Sequence, residues 1–568
     1  MIETVLDPRG IQKRPKIRLA TRPTLERLRQ GPVLFYDNTK LSFRNCSEIF
    51  IRIKENFIKE GIVNFLDFRE TVRGKTNQEL KEYAARLAEA KPIAAILALG
   101  DVGVSPATTI VTIALEELGI PSVYITAPPG TELAKAVAFY RAGQLCFCPI
   151  DIYQGSTIED IHREIDEQMS CILESLTLPL ERIGERAFLD FQLDAVAPAR
   201  DGLLKLKSPL ALGSADIYEP AAGIEEFMDL FDSLHLGDGL PVIPPTQRRY
   251  EQMLSFCPYR PEKILATEIG PTGKDITIRD VAIAAVMAGC KPEYMPILIT
   301  AFKAIANPRY NFLQSVTTSH PGGNLILVSG PLAQEIGIHG GQGCLGPGFT
   351  ANMTIGRAVN LAIINVCRAV PGYADLACLS SSAKLSYCFS EDPELSPWPT
   401  INTEHYNSRT TTVFVLKAEP PHDIIDFLSN TAGDLLDTLV GSCTTLGSNN
   451  SFIPGPLVVV ITQDHAWLLN REGWDKDKIR VHIHSRAHHE APMVRGRGLV
   501  PVRPAGFDEL HPIPVTRSPK DVEIVVAGGR GGHSSVILPW ALHSEAIVEP
   551  VLLPNRKVPN SIADFQQK

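Results

Sequence analysis

Four side chains in glycine-rich surroundings have the types that acid–base or nucleophilic chemistry requires. They are His320, His339, Cys344 and His533. A thiolate attacks as a nucleophile, and an imidazole titrates near neutral pH. These four are therefore the predicted catalytic residues. A structural interpretation stays open for each of them, as a small buried cysteine or a packed histidine with satisfied nitrogens.

The segment 338–357 combines one of these residues with clustered glycines. Five glycines lie between positions 340 and 348, and a predicted helix follows from Thr354. Exposed backbone N–H groups at the start of a helix bind carboxylate or phosphate. The spacing matches neither a dinucleotide-binding fingerprint nor a P-loop. Binding of a small anionic or polar substrate and a purely structural glycine-rich crossing are the two alternatives.

Further polar and glycine positions in this loop and two others are predicted to bind substrate. They are Asp101, Thr108, Gly341, Gly343, Asn352, Arg357, Gly529 and Ser534. Histidines at 482, 484, 488 and 489 raise the question of a metal, but no carboxylate shares their helix face and the HExxH pattern is absent. No metal site is predicted, and the sequence leaves any cofactor unknown.

Composition narrows the class of protein. The chain of 568 residues has a formal net charge of −9 and is 44% hydrophobic. Nucleic-acid-binding proteins usually carry a basic face, and the sequence shows no Lys/Arg-dense block that would indicate one. We find no apolar run of the roughly 18–20 residues that a membrane span needs, and no signal-peptide pattern at the N-terminus. Eleven cysteines without a CxxC pair indicate a reducing compartment, so a cytoplasmic protein, with a homo-oligomer as an open alternative, is expected.

The hydrophobic periodicity predicts an α/β fold. Short apolar strands such as 33–36, 93–99 and 122–125 alternate with helical patterns such as 77–90 and 107–118. This alternation predicts a doubly wound parallel sheet with helices on both faces. Ligands of such sheets bind at the carboxyl ends of the strands, which here means Asp37 and the loop from Gly100.

A second, larger α/β region that is rich in glycine and proline is expected to follow. The predicted division is an irregular arm (1–28), an α/β domain (29–195), a linker (196–220), a catalytic or binding region (221–550) and a tail (551–568). Within the larger region, the strand-to-helix segments 324–333 and 456–466 resemble each other. An internal duplication and a chance similarity are both open interpretations.

The N-terminal region resembles the family named after its Sec-Gly-Ser-Cys motif (UGSC). The matching segments are 5–10, 35–40, 100–109 and 114–121. In that family the loop reads Gly-Asp-Sec/Cys-Gly-Ser-Cys-Thr, and it is similar to the selenocysteine loop of glycine and proline reductase subunits. Val102 stands at the redox position here, and Val104-Ser105 replaces Ser-Cys. The resemblance therefore implies the shape of the loop without its redox chemistry.

The glycine-rich segments of the second region, 236–246, 317–324, 338–352 and 528–535, are similar to those of uncharacterised bacterial proteins that are paired with UGSC-type proteins. That similarity supplies no reaction. Three functions are consequently open: an enzyme of small-molecule metabolism with its site in the C-terminal region, a non-catalytic binding or scaffold subunit, and an oxidoreductase that uses a C-terminal cysteine. For an enzyme, acid–base chemistry of the lyase or hydrolase type and thiol chemistry are the alternatives.

Overall fold

The computed structural model describes most of the chain. The described residues are 2–10, 16–43, 45–153, 155–187, 192–194, 198–199, 201–210, 223–494, 497–498 and 512–567. The helices are α1 (Leu25–Gln30), α2 (Glu48–Lys59), α3 (Asn77–Glu89), α4 (Ser105–Glu117), α5 (Gly130–Arg141), α6 (Ile158–Thr177), α7 (Leu180–Ala187), α8 (Ile224–Ser233), α9 (Gln247–Met253), α10 (Ile278–Ala288), α11 (Met295–Ile305), α12 (Phe312–Val316), α13 (Pro331–Glu335), α14 (Thr350–Val366), α15 (Ile401–His405), α16 (Ala432–Cys443), α17 (Gln463–Arg471), α18 (Lys476–Arg486) and α19 (Ala491–Val494).

The strands fall into an N-terminal group and a C-terminal group. They are β1 (Ile2–Leu6), β2 (Val33–Asp37), β3 (Phe65–Arg69), β4 (Ala94–Gly100), β5 (Ser122–Thr126), β6 (Phe147–Pro149), β7 (Leu203–Leu210), β8 (Ile264–Ile269), β9 (Lys274–Thr277), β10 (Gly323–Ser329), β11 (Cys388–Ser390), β12 (Thr412–Ala418), β13 (His422–Ile425), β14 (Leu457–Ile461), β15 (His488–His489), β16 (Ile513–Pro514), β17 (Val522–Val526), β18 (His533–Ile537) and β19 (Ile547–Pro550).

The predicted α/β fold is confirmed, and the N-terminal sheet is doubly wound. Its strands are all parallel and lie in the order β3-β2-β4-β5-β6. Side chains alternate along each strand, so that one face packs on α2 and α6 and the other on α3 and α4. The strand order reverses between β2 and β4. The loop from Gly100 therefore lies at the switch point where such sheets bind ligands.

The C-terminal region contains two four-stranded mixed sheets that pack face to face. Their orders are β11-β10-β12-β19 and β17-β14-β18-β13. Inward side chains of both sheets share one apolar cluster. The outer face of the first sheet is covered by α10, α11 and α14, and that of the second by α16, α17 and α18. The result is a four-layer arrangement of helix, sheet, sheet and helix.

The two sheets have the same topology. In each, a strand followed by a helix (β10 or β14) pairs in parallel with a later strand (β11 or β17) and antiparallel with a third (β12 or β18). The fourth strands are exchanged: β13 follows β12 but joins the second sheet, and β19 follows β18 but joins the first. This equivalence favours the internal duplication over a chance similarity.

The expected arm, linker and tail are more ordered than the sequence suggested. β1, inside the arm, pairs antiparallel with β7, inside the linker, while residues 211–222 of the linker lie outside the described part. Val5 and Leu210 join the same apolar cluster as the helices of the C-terminal region, and so do Ile562 and Phe565 of the tail. These segments contact residues that are distant in the sequence. The local composition of a segment does not reveal such a partner.

One buried ion pair attaches the start of the chain to the N-terminal domain. Both carboxylate oxygens of Glu116 in α4 accept hydrogen bonds from the Arg22 guanidinium, at 2.7 and 2.8 Å, and both side chains are fully buried. Glu116 also accepts the backbone N–H groups of Ala20 and Ser122 at 2.8 Å. Through these hydrogen bonds Glu116 holds three segments together, namely the start of the chain around residues 20–22, α4 and the beginning of β5.

We expect Glu116→Ala to lower the free energy of unfolding by about 3–5 kcal/mol, because it leaves Arg22 buried without its partner. Chemical denaturation followed by circular dichroism measures the change. The exposed neighbour Glu117 gives the matched control, and Glu117→Ala should stay within about 0.5 kcal/mol of the wild type. Equal stability of the two variants would show that the ion pair does not hold the arm.

Candidate functional site

A cavity of about 550 Å³ lies between the first C-terminal sheet and helix α14. This volume is within the range of about 300–1,000 Å³ that is typical of small-molecule sites. Its floor is buried and polar, formed by Asn324, Asn360 and Lys417, whereas its mouth is exposed at His235 and Ser380. Polar groups at the closed end of a pocket are the arrangement that orients a small ligand.

Lys417 is the most unusual residue of this floor. It is 2% exposed and lies on β12, where Val413 and Val415 precede it on the same, helix-facing side. Among the described residues, no carboxylate lies within ion-pairing distance of its amine and no group accepts a hydrogen bond from it. Its pKa is lowered from 10.5 to about 7, chiefly by burial and to a smaller extent by nearby Lys384, while Asp375 partly opposes the shift. Much of the amine is therefore uncharged at neutral pH.

Lys476 shows the usual treatment of a buried lysine in the same chain. It is 3% exposed, and its amine lies 3.0 Å from a carboxylate oxygen of Glu404 and 3.8 Å from Glu391. Buried charges are normally paired in this way. Lys476 thus has carboxylate partners, as a structural lysine does. Lys417 has none among the described residues, so its amine is available to the cavity.

Two ion pairs fix the walls around Lys417. The amine of Lys384 lies 2.6 and 2.7 Å from the two carboxylate oxygens of Asp375, and both residues line the cavity. Arg357, a predicted substrate-binding residue, donates to both oxygens of Asp238 at 2.6 and 2.8 Å. Asp238 belongs to the glycine-rich loop at the mouth, so Arg357 holds that loop in place.

The floor amides form a short hydrogen-bonded chain. Asn324 lies opposite Lys417 in the β10–β12 ladder, so their side chains are on the same face. Its oxygen accepts the Tyr310 hydroxyl at 2.6 Å, and its nitrogen donates to Asn360 at 3.1 Å. These contacts fix the orientation of the Asn324 amide beside the amine.

His320 is not among the residues that line the cavity, but it interacts electrostatically with two that are, Lys417 and Lys384. Its Nε2 is 3.2 Å from Glu419, and its Nδ1 accepts the backbone N–H of Gly322 at 3.1 Å. Burial lowers the pKa of His320; Glu419 opposes this shift, and Lys417 and Lys384 add to it. Of the four predicted catalytic residues, His320 is thus the one in electrostatic contact with Lys417.

The two other glycine-rich loops pack against each other. Gly341 and Gly528 form a parallel bridge, and the N–H of Gly528 donates to the Gly340 carbonyl at 2.8 Å. A Cβ at Gly340 would lie 2.5 Å from a backbone oxygen, and one at Gly529 would lie 3.0 Å from Gln342. Close packing therefore accounts for Gly340 and Gly529 without a ligand. Substrate binding by Gly341, Gly343 and Gly529 stays a prediction.

His339, Cys344 and Asn352 form one cluster at the crossing. The His339 ring stacks on Phe349, with 3.7 Å between ring centres. The Asn352 side chain donates to the carbonyls of His339 and Cys344 at 2.9 and 3.0 Å, so it ties the loop to α14. Cys344 is 4% exposed in the apolar cluster between the sheets, and burial raises its pKa to about 11. These contacts favour the structural interpretation of the thiol.

His533 and Ser534 begin β18 but point to opposite sides. His533 is half-exposed, with Nδ1 3.0 Å from Asp423. Ser534 is buried, and its hydroxyl lies 2.7 Å from Nδ1 of His465. The other nitrogen of His465 lies 2.8 Å from the backbone oxygen of Asp426. His465 was not predicted from the sequence. Both of its ring nitrogens have a partner within the protein.

Asp101 and Thr108 lie at the switch point of the N-terminal sheet. Asp101 forms an ion pair with Lys40 at 2.7 Å, and burial raises its pKa although Lys40 opposes the shift. The Thr108 hydroxyl accepts the Asn38 amide at 2.9 Å, and that amide also donates to the Leu99 carbonyl at 3.0 Å. Side chains of the segment after β2, Asn38 and Lys40, thus hold the residues on either side of Val102.

Comparison of the chain with protein-family models, with curated proteins and with solved structures found no match. Among the helices of the described ranges, none combines the length and the apolarity that a membrane span requires. Within those same ranges, no three histidine, cysteine or acidic side chains are grouped so as to hold a metal ion.

The location of Cys344 predicts slow alkylation. Only the thiolate reacts, and a buried thiol with a pKa of about 11 forms little of it at pH 8. Iodoacetamide with peptide mapping should label the exposed Cys378 in the native protein and Cys344 only after unfolding. Labelling of both at similar rates would support Cys344 as a nucleophile.

The lowered pKa of Lys417 predicts an unusual dependence of the free energy of unfolding on pH. Between pH 7 and 10.5 the unfolded chain binds more protons at this amine than the folded protein does, so wild-type stability gains with pH there. Lys417→Met removes that contribution. The variant should be more stable than the wild type at pH 7, and the difference should shrink towards pH 10.5.

Denaturant titrations at several pH values measure this difference. The exposed Lys291 is the matched control, and Lys291→Met should follow the wild type throughout. If Lys417→Met were instead destabilised equally at all pH values, the amine would have a stabilising partner in the fold.

Proposed function

We propose that this protein is an enzyme of small-molecule metabolism that binds a small polar or anionic substrate in the cavity above Lys417. The observation that carries the proposal is a buried amine without a protein partner, among the described residues, at the closed end of a cavity. Perturbed titratable groups in clefts are typical of active sites. The cost of burying this lysine brings no evident structural gain, and a reacting or binding role accounts for it.

The surrounding charges suit a small acid. With Lys384 bound to Asp375 and Arg357 bound to Asp238, those pairs are neutral, and Lys417 is the group whose charge responds to a ligand. A bound carboxylate would favour the protonated amine. In this proposal the substrate is a small carboxylic acid, and the glycine-rich loop from Gly237 to Gly239 closes the mouth.

The thiol alternative has less support, because Cys344 is buried and its pKa is raised. A scaffold subunit would explain Val102 but not Lys417. The cytoplasm, which the low cysteine density favours, and assembly into a homo-oligomer belong to the same proposal.

Titration calorimetry with lactate and 3-hydroxybutyrate tests the proposal. Because the anion prefers the protonated amine, affinity should fall by up to about tenfold per pH unit above pH 7. Lys417→Met should bind more weakly and lose this pH dependence, whereas Lys291→Met should match the wild type. Identical titrations of Lys417→Met and wild type would exclude the cavity as the binding site. Mass spectrometry of any small acid that co-purifies then identifies the natural ligand.

A further inference from the structure

We propose that Lys417 forms an imine with the carbonyl group of a small oxo acid bound in the cavity. This inference rests on the proposed function and adds the substrate class and the covalent step. It follows from the burial of the amine at the closed end, from the polar groups around it and from the fixed charge beside it.

The amine is available as a nucleophile because the protein does not engage it. Lys384 is held by both oxygens of Asp375, so its ammonium is fixed near Lys417, and the Asp375 carboxylate offsets only part of its effect. That charge and the burial both disfavour a second ammonium, as the lowered pKa of Lys417 reflects. A desolvated lysine beside another cation is the arrangement that activates amines for attack on carbonyl carbon.

The floor amides supply hydrogen-bond donors for the carbonyl oxygen. The side-chain nitrogens of Asn324 and Asn360 each carry two hydrogens. One hydrogen of Asn324 is directed to the Asn360 oxygen at 3.1 Å, and Asn360 makes a long bond of 3.4 Å to the Leu385 carbonyl. Both residues line the cavity, so each has a hydrogen to donate to a ligand.

Lys384 is the hydrogen-bond donor for the carboxylate of the oxo acid. An ammonium has three donors, and its bonds to Asp375 use two of them. Lys384 lines the same cavity as Lys417, and its third donor is available to a second polar group of the ligand. A substrate with a carbonyl and a carboxylate matches the two lysines.

The covalent step balances without a further reactant. The Lys417 nitrogen lone pair forms a bond to the carbonyl carbon, the C=O π pair moves to oxygen, and one proton passes from nitrogen to that oxygen. The resulting carbinolamine takes a proton from solvent and loses water as the nitrogen lone pair forms the C=N bond. The product is an iminium ion, which accepts the electron pair when the adjacent carbon loses a proton or carbon dioxide.

Reductive trapping tests the imine. The protein is treated with pyruvate or with hydroxyacetone, each with sodium cyanoborohydride, at pH 6 and pH 8, and digested for mass spectrometry. We expect Lys417 to gain the mass of the probe less one oxygen atom. With hydroxyacetone, which has no carboxylate, the adduct should increase from pH 6 to pH 8, as free amine forms. This trend is opposite to that expected for lactate binding.

Lys274 is the matched control for reactivity. Burial lowers its pKa to about 8, but its amine donates to the Arg9 carbonyl, outside the cavity. Lys274 should stay unmodified at pH 8, and Lys417→Met should abolish the main adduct while Lys291→Met retains it. Labelling of Lys274 to the same extent, or an unchanged adduct yield in Lys417→Met, would overturn the proposal. Lactate binding without any adduct at Lys417 would overturn the imine alone, whereas loss of both binding and adduct would overturn the proposed function as well.

Discussion

A fully buried carboxylate, Asp194, joins the two regions of the chain. It accepts hydrogen bonds from Arg368 at 3.1 Å, from Tyr140 of α5 at 2.7 Å and from Arg9 at 3.4 Å. Arg368 also donates to the carbonyls of Leu234 and His235, at the mouth of the cavity. Because these buried charges satisfy one another, the N-terminal domain, the start of the chain and the cavity wall are held in one arrangement.

The exchanged strands join the two halves of the C-terminal region. Each sheet is completed by a strand whose chain neighbours belong to the other sheet, so neither half has all of its own strands. The halves have diverged at the position that matters for the cavity. Lys417 pairs with Asn324, just before the apolar part of β10, and Pro456 stands at the corresponding place before β14. The amide that lies beside the amine in the first half therefore has no counterpart in the second.

The sequence predicted local structure well and distant pairing poorly. Strands such as β4 are continuous apolar runs between helices, and such runs are recognisable without a structure. The pairing of β1 with β7 spans about 200 residues, and no local pattern encodes it. For the site, the glycine cluster drew attention to Cys344, although Gly340 in that cluster is explained by close packing against backbone. The sequence signal for Lys417 is a single charge in the strand 412–418, whose other residues except Thr412 are apolar.

Lys417 differs from two other lysines of the chain that are removed from solvent wholly or in part. A lysine that serves the fold acquires a partner, as Lys476 does with Glu404 and Lys274 does with the Arg9 carbonyl. Methionine at 417 would fill the same space without the cost of desolvation, so stability alone disfavours lysine there. The nearby ammonium of Lys384 raises that cost, because like charges repel at low dielectric. In the proposed function, a fold that keeps two lysines together at the closed end of a cavity gives up stability for the reactivity of the uncharged amine.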